Sequence, residues 1–292
     1  MTSLGSQCLE ARAGGLAASV RDGLKLQTLS FPRAARSSTD RGPEVRLLCF
    51  PYAGASAQIF RDWRRWLAPR VELILIELPG RGFLVRQSAV ERMEELVDAL
   101  AATVDPLFDM PLALFGHGVG ALVAFELSRK LEATGWPPLK HLFVSAQRAP
   151  QLLASVPGIH HLPTAQFLGA VRALRGPSAV DLVDEEFGDL FLPALRGDFK
   201  LSGDYEYKPG PRLGSPITVF SGAEDQGVAR QELEPWRLLT RAACVVRWLP
   251  GNHLFVHECQ RLLAANVLRS LEMHPVPDPG LPTCATSGFT TL

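Results

Sequence analysis

Leu112-Ala-Leu-Phe-Gly116-His-Gly118-Val-Gly120-Ala-Leu-Val-Ala-Phe125 is the stretch that decides the fold. Its first four residues are an uninterrupted apolar run, as in a strand covered on both faces. Glycines at 116, 118 and 120 then allow a tight turn in which backbone passes close to backbone. Ala121, Leu122, Val123, Phe125 and Leu127 continue at helical spacing. Strand, glycine turn and helix in immediate succession form an elbow that, as G-x-S-x-G, would display a serine nucleophile at its tip. Here the central position is Gly118, so no hydroxyl stands where covalent chemistry would begin.

On either side of this unit, short apolar runs alternate with helical patterns. Strands are predicted at Val45–Phe50, Val71–Glu77, Leu112–Phe115, His141–Ser145, Ile217–Ser221 and Cys244–Leu249. Helices are predicted at Ile59–Leu67, Val90–Val104, Val119–Ala133, Gln231–Thr240 and Leu254–Leu271. The alternation implies an α/β fold built on a mostly parallel, doubly wound sheet. One segment, about Pro150 to Pro216, has helical patterning without a strand. An insertion after the C-terminal end of a strand lies over the edge where such sheets bind ligands, so it is expected to be a helical lid. Its apolar positions Phe167, Leu168 and Leu174 are the expected substrate-binding contacts.

Three domain-level expectations follow. Residues 1–43 mix Ala, Gly, Ser and scattered Arg without a strong period and are expected to be a flexible or loosely docked extension. Asp22, Asp40 and Glu10 weigh against a transit peptide. Residues 44–272 carry the α/β pattern, and 273–292, rich in Pro, Gly and Thr, are expected to be a flexible tail.

Composition narrows the partners. The chain has 292 residues, with 30 Lys+Arg against 30 Asp+Glu and a formal net charge of zero. No global field draws it to nucleic acid or to an anionic membrane. No apolar run reaches the ~18–20 residues that span a bilayer. The five cysteines are odd in number and lack metal-ligand spacing, which reads as reduced thiols in a cytoplasmic protein without a metal.

The remaining chemistry lies at strand ends. Asp225 follows the strand Ile217–Ser221, and His253 follows the strand Cys244–Leu249. The chain order elbow, acid, base is that of α/β hydrolases, in which the acid orients the imidazole and the imidazole acts as base. Glu224 is the alternative acid. An oxyanion hole requires the N–H after the elbow tip, here Val119, and a second N–H from the loop after the first core strand, where Ala53 is the expected donor. Ser56 in that loop also reads as an ordinary N-cap. Ser56, Ser145 and Cys49 lie near strand ends, but none sits on a strained turn as a replacement nucleophile would. Gly116-His-Gly118-Val-Gly-Ala121 also fits the dinucleotide pattern G-x-G-x-x-A. The next strand ends in Ser145-Ala-Gln147, with no acid to hold a ribose, which argues against that use.

Six segments together resemble the type II thioesterases, the stand-alone editing hydrolases of polyketide and nonribosomal peptide assembly. They are Cys49-Phe-Pro-Tyr-Ala-Gly54, Leu78-Pro-Gly-Arg-Gly82, Gly116-His-Gly-Val-Gly120, Val144-Ser-Ala-Gln-Arg-Ala-Pro150, Leu192-Pro-Ala-Leu-Arg-Gly-Asp-Phe199 with Tyr205, and Leu249-Pro-Gly-Asn-His253. The resemblance spans Val45 to about Leu271 and implies an α/β-hydrolase fold. By position it implies Asp225 and His253 as triad members, Ala53 and Val119 as oxyanion donors, and Tyr52 and His117 as substrate-side neighbours. It also implies an acyl thioester substrate on the phosphopantetheine of an acyl or peptidyl carrier protein, with no cofactor. The family's catalytic serine falls on Gly118. Asn252 departs from the family's usual second glycine. Glycine at the tip relieves the strain of a positive φ and leaves room for a water, so weak hydrolysis through Asp225 and His253, or binding without turnover, is expected.

Overall fold

The computed structural model describes residues 25–29, 42–155, 158–175 and 188–273. Seven strands form one sheet: β1 (Lys25–Leu29), β2 (Val45–Phe50), β3 (Val71–Glu77), β4 (Leu112–His117), β5 (His141–Ser145), β6 (Ile217–Gly222) and β7 (Cys244–Leu249). Their order is β1-β3-β2-β4-β5-β6-β7, and every pairing is parallel except β1 with β3. The mostly parallel, doubly wound sheet expected from the alternation is thus present. The expected flexible ends at 1–43 and 273–292 lie largely outside the described residues. Within the first of them Lys25–Leu29 adds the antiparallel edge strand, which the sequence pattern did not predict.

Alternate residues of each strand enter opposite cores, which explains the continuous apolar runs. On β2, Leu48 and Phe50 join one cluster, while Val45, Leu47 and Cys49 join the other. Ile74 and Ile76 of β3 divide from Val71, Leu73 and Leu75 in the same way. One face is covered by α2 (Met93–Val104) and α3 (Val119–Ala133). The other is covered by the 3-10 turn Ala57–Trp63, by α1 (Arg64–Leu67) and by α7 (Gln260–Ser270). Trp63, Phe60 and Phe115, all fully buried, meet edge-to-face there, with ring centroids 4.8–5.5 Å apart. Each buried side chain of this size contributes about 1.5–3 kcal/mol.

Several expected helices are shorter or tighter. The helix predicted at Ile59–Leu67 begins as a 3-10 turn and is α-helical only from Arg64. Gln231–Thr240 forms two 3-10 turns, Arg230–Glu232 and Glu234–Leu239, because Pro235 withholds an N–H there. Leu254–Leu271 divides at Cys259 into α6 (Phe255–Glu258) and α7.

Between β5 and β6 the described residues hold a 3-10 turn at Pro150–Ser155 and two helices, α4 (Thr164–Arg175) and α5 (Gly188–Gly203), and no strand. Phe167, Val171 and Leu195 form a small core between these helices, and Ala53 packs against it. The insertion is therefore seated on the loop after β2.

At the opposite end of the sheet His141 is 7% exposed, with Nε2 2.8 Å from the Thr218 hydroxyl. Burial, helped by the nearby charges of Lys140 and Arg247, pushes its imidazole down to about 4. A folded value below the unfolded one (~6.5) means that the unfolded chain binds more protons between the two. Stability from this group is present above pH ~6.5 and is lost as pH falls toward 4. Urea unfolding is expected to show about 2 kcal/mol lost to this residue between pH 7.5 and pH 5. His141→Gln should flatten that slope, and an unchanged slope would refute the assignment.

Candidate active site

The chain runs from β2 to β3 on one side, then returns past β2 to place β4 on its other side. That reversal is a topological switch point of the sheet, the place where parallel sheets bind ligands outside the C-terminal strand ends. Phe50 pairs with Gly116 across it, so the loop after β2 and the elbow after β4 stand side by side.

The elbow tip carries its strain in a residue that tolerates it. Gly118 has φ 55° and ψ −127°, a region essentially closed to other residues without cost. Its N–H donates to the Ser145 carbonyl at 2.8 Å, and its carbonyl accepts from Ala121 N–H at 2.9 Å. A Cβ added here would meet only Tyr52, with Tyr52 Cβ at 3.4 Å, an ordinary contact. Val119 is the first residue of α3, at the end where a helix leaves N–H groups without intrahelical acceptors.

Asp225 and His253, from the loops after β6 and β7, pair with each other. His253 Nδ1 lies 3.0 Å from Asp225 Oδ2, with the Asp225 side chain fully buried and that of His253 about one-fifth exposed. Because the carboxylate can only accept, Nδ1 carries the proton and Nε2 is the basic nitrogen. Asp225 Oδ1 accepts from Gly227 N–H at 2.7 Å, an Asx-type turn that fixes the carboxylate. Glu224, the other candidate acid, is exposed, and its backbone N–H donates to Gly251.

His117 links elbow to base across two intervening strands. It is fully buried, with Nδ1 2.9 Å from Ser145 Oγ and Nε2 2.9 Å from the His253 carbonyl. Nε2 must donate to that carbonyl, so Nδ1 accepts from the serine. Ser145 is thus engaged beneath the elbow. Ser56 caps the turn Ala57–Trp63 by accepting from Gln58 N–H and donates to Glu77 at 2.6 Å. Cys49 is fully buried, and burial pushes its thiol well above the usual range. None of the three stands where a nucleophile would.

Tyr52 is buried beside the elbow, and its hydroxyl pairs with His257 Nε2 at 2.8 Å. The loop that follows is braced by two carboxylates. Glu77 accepts from Ser56 and from Ala57 N–H at 3.2 Å. Burial raises the Glu77 carboxyl, an effect opposed by those two hydrogen bonds and by the Arg81 charge. Asp198, from lid helix α5, accepts from Gly54 N–H at 2.7 Å and forms a bidentate pair with Arg81 at 2.6 and 2.7 Å. These carboxylates and Arg81 were not singled out from sequence. A signal existed: Asp198 sits three residues from Leu195 on an otherwise apolar helix face.

The apolar positions of the insertion divide. Phe167 is fully buried between α4 and α5, with the Arg196 guanidinium 4.4 Å from its ring centre. Leu168 is half-buried in the same cluster. Leu174, at the end of α4, is exposed, while its carbonyl lies beside Gly227 in the turn that carries Asp225.

No group of His, Cys, Asp and Glu able to hold a metal occurs among the described residues. No helix among them is long and apolar enough to cross a membrane.

Comparison with known proteins agrees with this architecture. The thioesterase domain family model matches residues 45–273. The gramicidin S biosynthesis protein GrsT of Aneurinibacillus migulanus is 34% identical over 241 residues, covering 82% of this chain and 94% of that protein. The thioesterase PikA5 of Streptomyces venezuelae is 35% identical over 215 residues, covering 73% and 76%. Among solved structures, YbtT, a type II thioesterase from the yersiniabactin NRPS/PKS biosynthetic pathway, superposes with a TM-score of 0.72 at 29% identity, covering 85% of this chain and 98% of that one. The chain therefore belongs to the thioesterase family and has its α/β-hydrolase fold, with type II thioesterases of nonribosomal peptide and polyketide biosynthesis among its homologues.

Proposed function

We propose that this chain binds acyl groups held as thioesters on the phosphopantetheine of an acyl or peptidyl carrier protein, or on CoA, and hydrolyses them slowly with water as the nucleophile. The observation that carries this reading is the buried Asp225 paired with His253 beside an elbow whose tip lacks a hydroxyl. His253 Nε2 takes a proton from a water standing where a serine Oγ would be. The water oxygen bonds to the thioester carbonyl carbon, and the resulting oxyanion accepts from the N–H groups of Ala53 and Val119. Collapse breaks the carbon–sulfur bond, and the imidazolium returns its proton to the leaving thiolate. The products are a carboxylic acid and a thiol, with no acyl-enzyme and no cofactor. Acid–base assistance of this kind contributes about 10²–10⁴-fold.

Hydrolysis of an octanoyl thioester, followed together with intact protein mass, tests the reading. The expected result is slow turnover without a mass increase, reduced about 10²-fold or more in His253→Ala. Equal rates in the two proteins would remove the water mechanism. Gly118 itself favours the second reading, a cytoplasmic carrier-binding homologue without turnover, and equal rates with retained carrier binding would be its signature.

A further inference from the structure

We propose that Asp198 is a positioning residue that holds the loop after β2, and with it the Ala53 oxyanion donor, in place, an inference that rests on the acyl-thioester reading above. The Arg81–Asp198 pair is buried on both sides, at 2% and 0% side-chain exposure. Burying two charges is costly, and an apolar pair of the same volume often gives equal or greater stability. An apolar pair could not, however, accept a hydrogen bond from Gly54. Asp198 Oδ2 accepts from both Arg81 Nη1 and Gly54 N–H, so one carboxylate joins lid helix α5, the turn after β3 and the loop after β2. Gly54 directly follows Ala53, the expected oxyanion donor. Independently, Ala53 packs against the lid core of Phe167, Val171 and Leu195.

The docking is close. A Cβ on Gly197, the residue before Asp198, would lie 2.9 Å from Ala89 Cβ. From below, Glu77 fixes Ser56 and Ala57. The loop is therefore held at both ends, by Asp198 of α5 at Gly54 and by Glu77 of β3 at Ser56 and Ala57. Without the Asp198 carboxylate, Gly54 N–H loses its acceptor and the backbone next to Ala53 is released. Oxyanion donors act by being aimed in advance, and a misplacement of about 1 Å costs on the order of 10²-fold.

Two measurements on the full-length chain test this. The first is amide hydrogen exchange of peptides covering residues 52–57. The second is calorimetric affinity for monomethyl octylphosphonate, an anionic tetrahedral mimic, against methyl octyl ether, which has the chain without the oxyanion. In Asp198→Asn, loop exchange is expected to rise about tenfold or more and phosphonate affinity to fall about tenfold or more, with ether affinity unchanged. The double variant Arg81→Met/Asp198→Leu removes both charges while keeping the lid packed, and the same selective loss is expected there. Unchanged loop exchange, equal losses for both ligands, or parental phosphonate affinity in the double variant would each overturn the proposal. If the parent binds neither ligand, the acyl-thioester reading fails, and loop exchange still decides whether Asp198 holds the loop.

Discussion

Gly118→Ser is expected to make the chain react covalently with a fluorophosphonate probe at residue 118, where the parent acquires no label. Asp225 and His253 are paired, and Val119 opens α3 beside the tip. A Cβ at 118 meets only Tyr52 at ordinary contact distance, so the side chain needs no repacking. Thioester turnover should rise by on the order of 10³-fold or more, since removing the nucleophile of a comparable triad costs at least that much. The gain carries a thermodynamic cost. A serine at φ 55° is strained by about 1–3 kcal/mol. In a domain of this size that lowers Tm by about 2–12 °C. A folded Gly118→Ser protein that takes no label would mean that Asp225 and His253 do not activate a group at this position.

Gly120→Ala is expected to be strongly destabilising. Its Cβ would lie 2.4 Å from both the Phe50 and the Pro51 carbonyl oxygens, and 2.7 Å from the Phe50 carbonyl carbon. These are backbone atoms at the end of β2, so no side chain can rotate away. Either β2 or the start of α3 must shift. Alanine's helix propensity, worth about 1 kcal/mol over glycine, is far too small to offset this. A loss of about 3 kcal/mol or more is expected in urea unfolding. The displaced Pro51 carbonyl leads directly into Tyr52 and Ala53, so labelling should also fail when Gly120→Ala is combined with Gly118→Ser. Neutral stability in Gly120→Ala would mean that α3 does not approach β2 as closely as described. The two glycines, two residues apart, thus answer to different demands: Gly120 to contact with β2, and Gly118 to a positive φ.

Much of the fold was legible because its signals are local. A strand covered on both faces must be apolar at consecutive positions, and β2 to β6 are written that way. The elbow, Asp225 and His253 were legible for a related reason: loops at C-terminal strand ends converge in any parallel sheet, so position along the chain stands in for position in space. Helix ends were less legible, since Pro235 and the break at Cys259 concern a single turn. The edge strand β1 was not legible at all. It is five residues long, and it pairs with β3, distant in sequence.

What the sequence by itself determined is the doubly wound sheet, the strandless insertion between β5 and β6 and a glycine at residue 118 of the elbow. The tertiary structure alone decided that Asp225 rather than Glu224 pairs with His253, and that His117 ties the elbow to the His253 loop. It also decided that Arg81 and Asp198, 117 residues apart, share a buried bond with the backbone of the loop after β2. The physical reason is range. Hydrophobic periodicity and turn chemistry act within a few residues, whereas a buried carboxylate takes its partners from whatever the fold brings within about 3 Å.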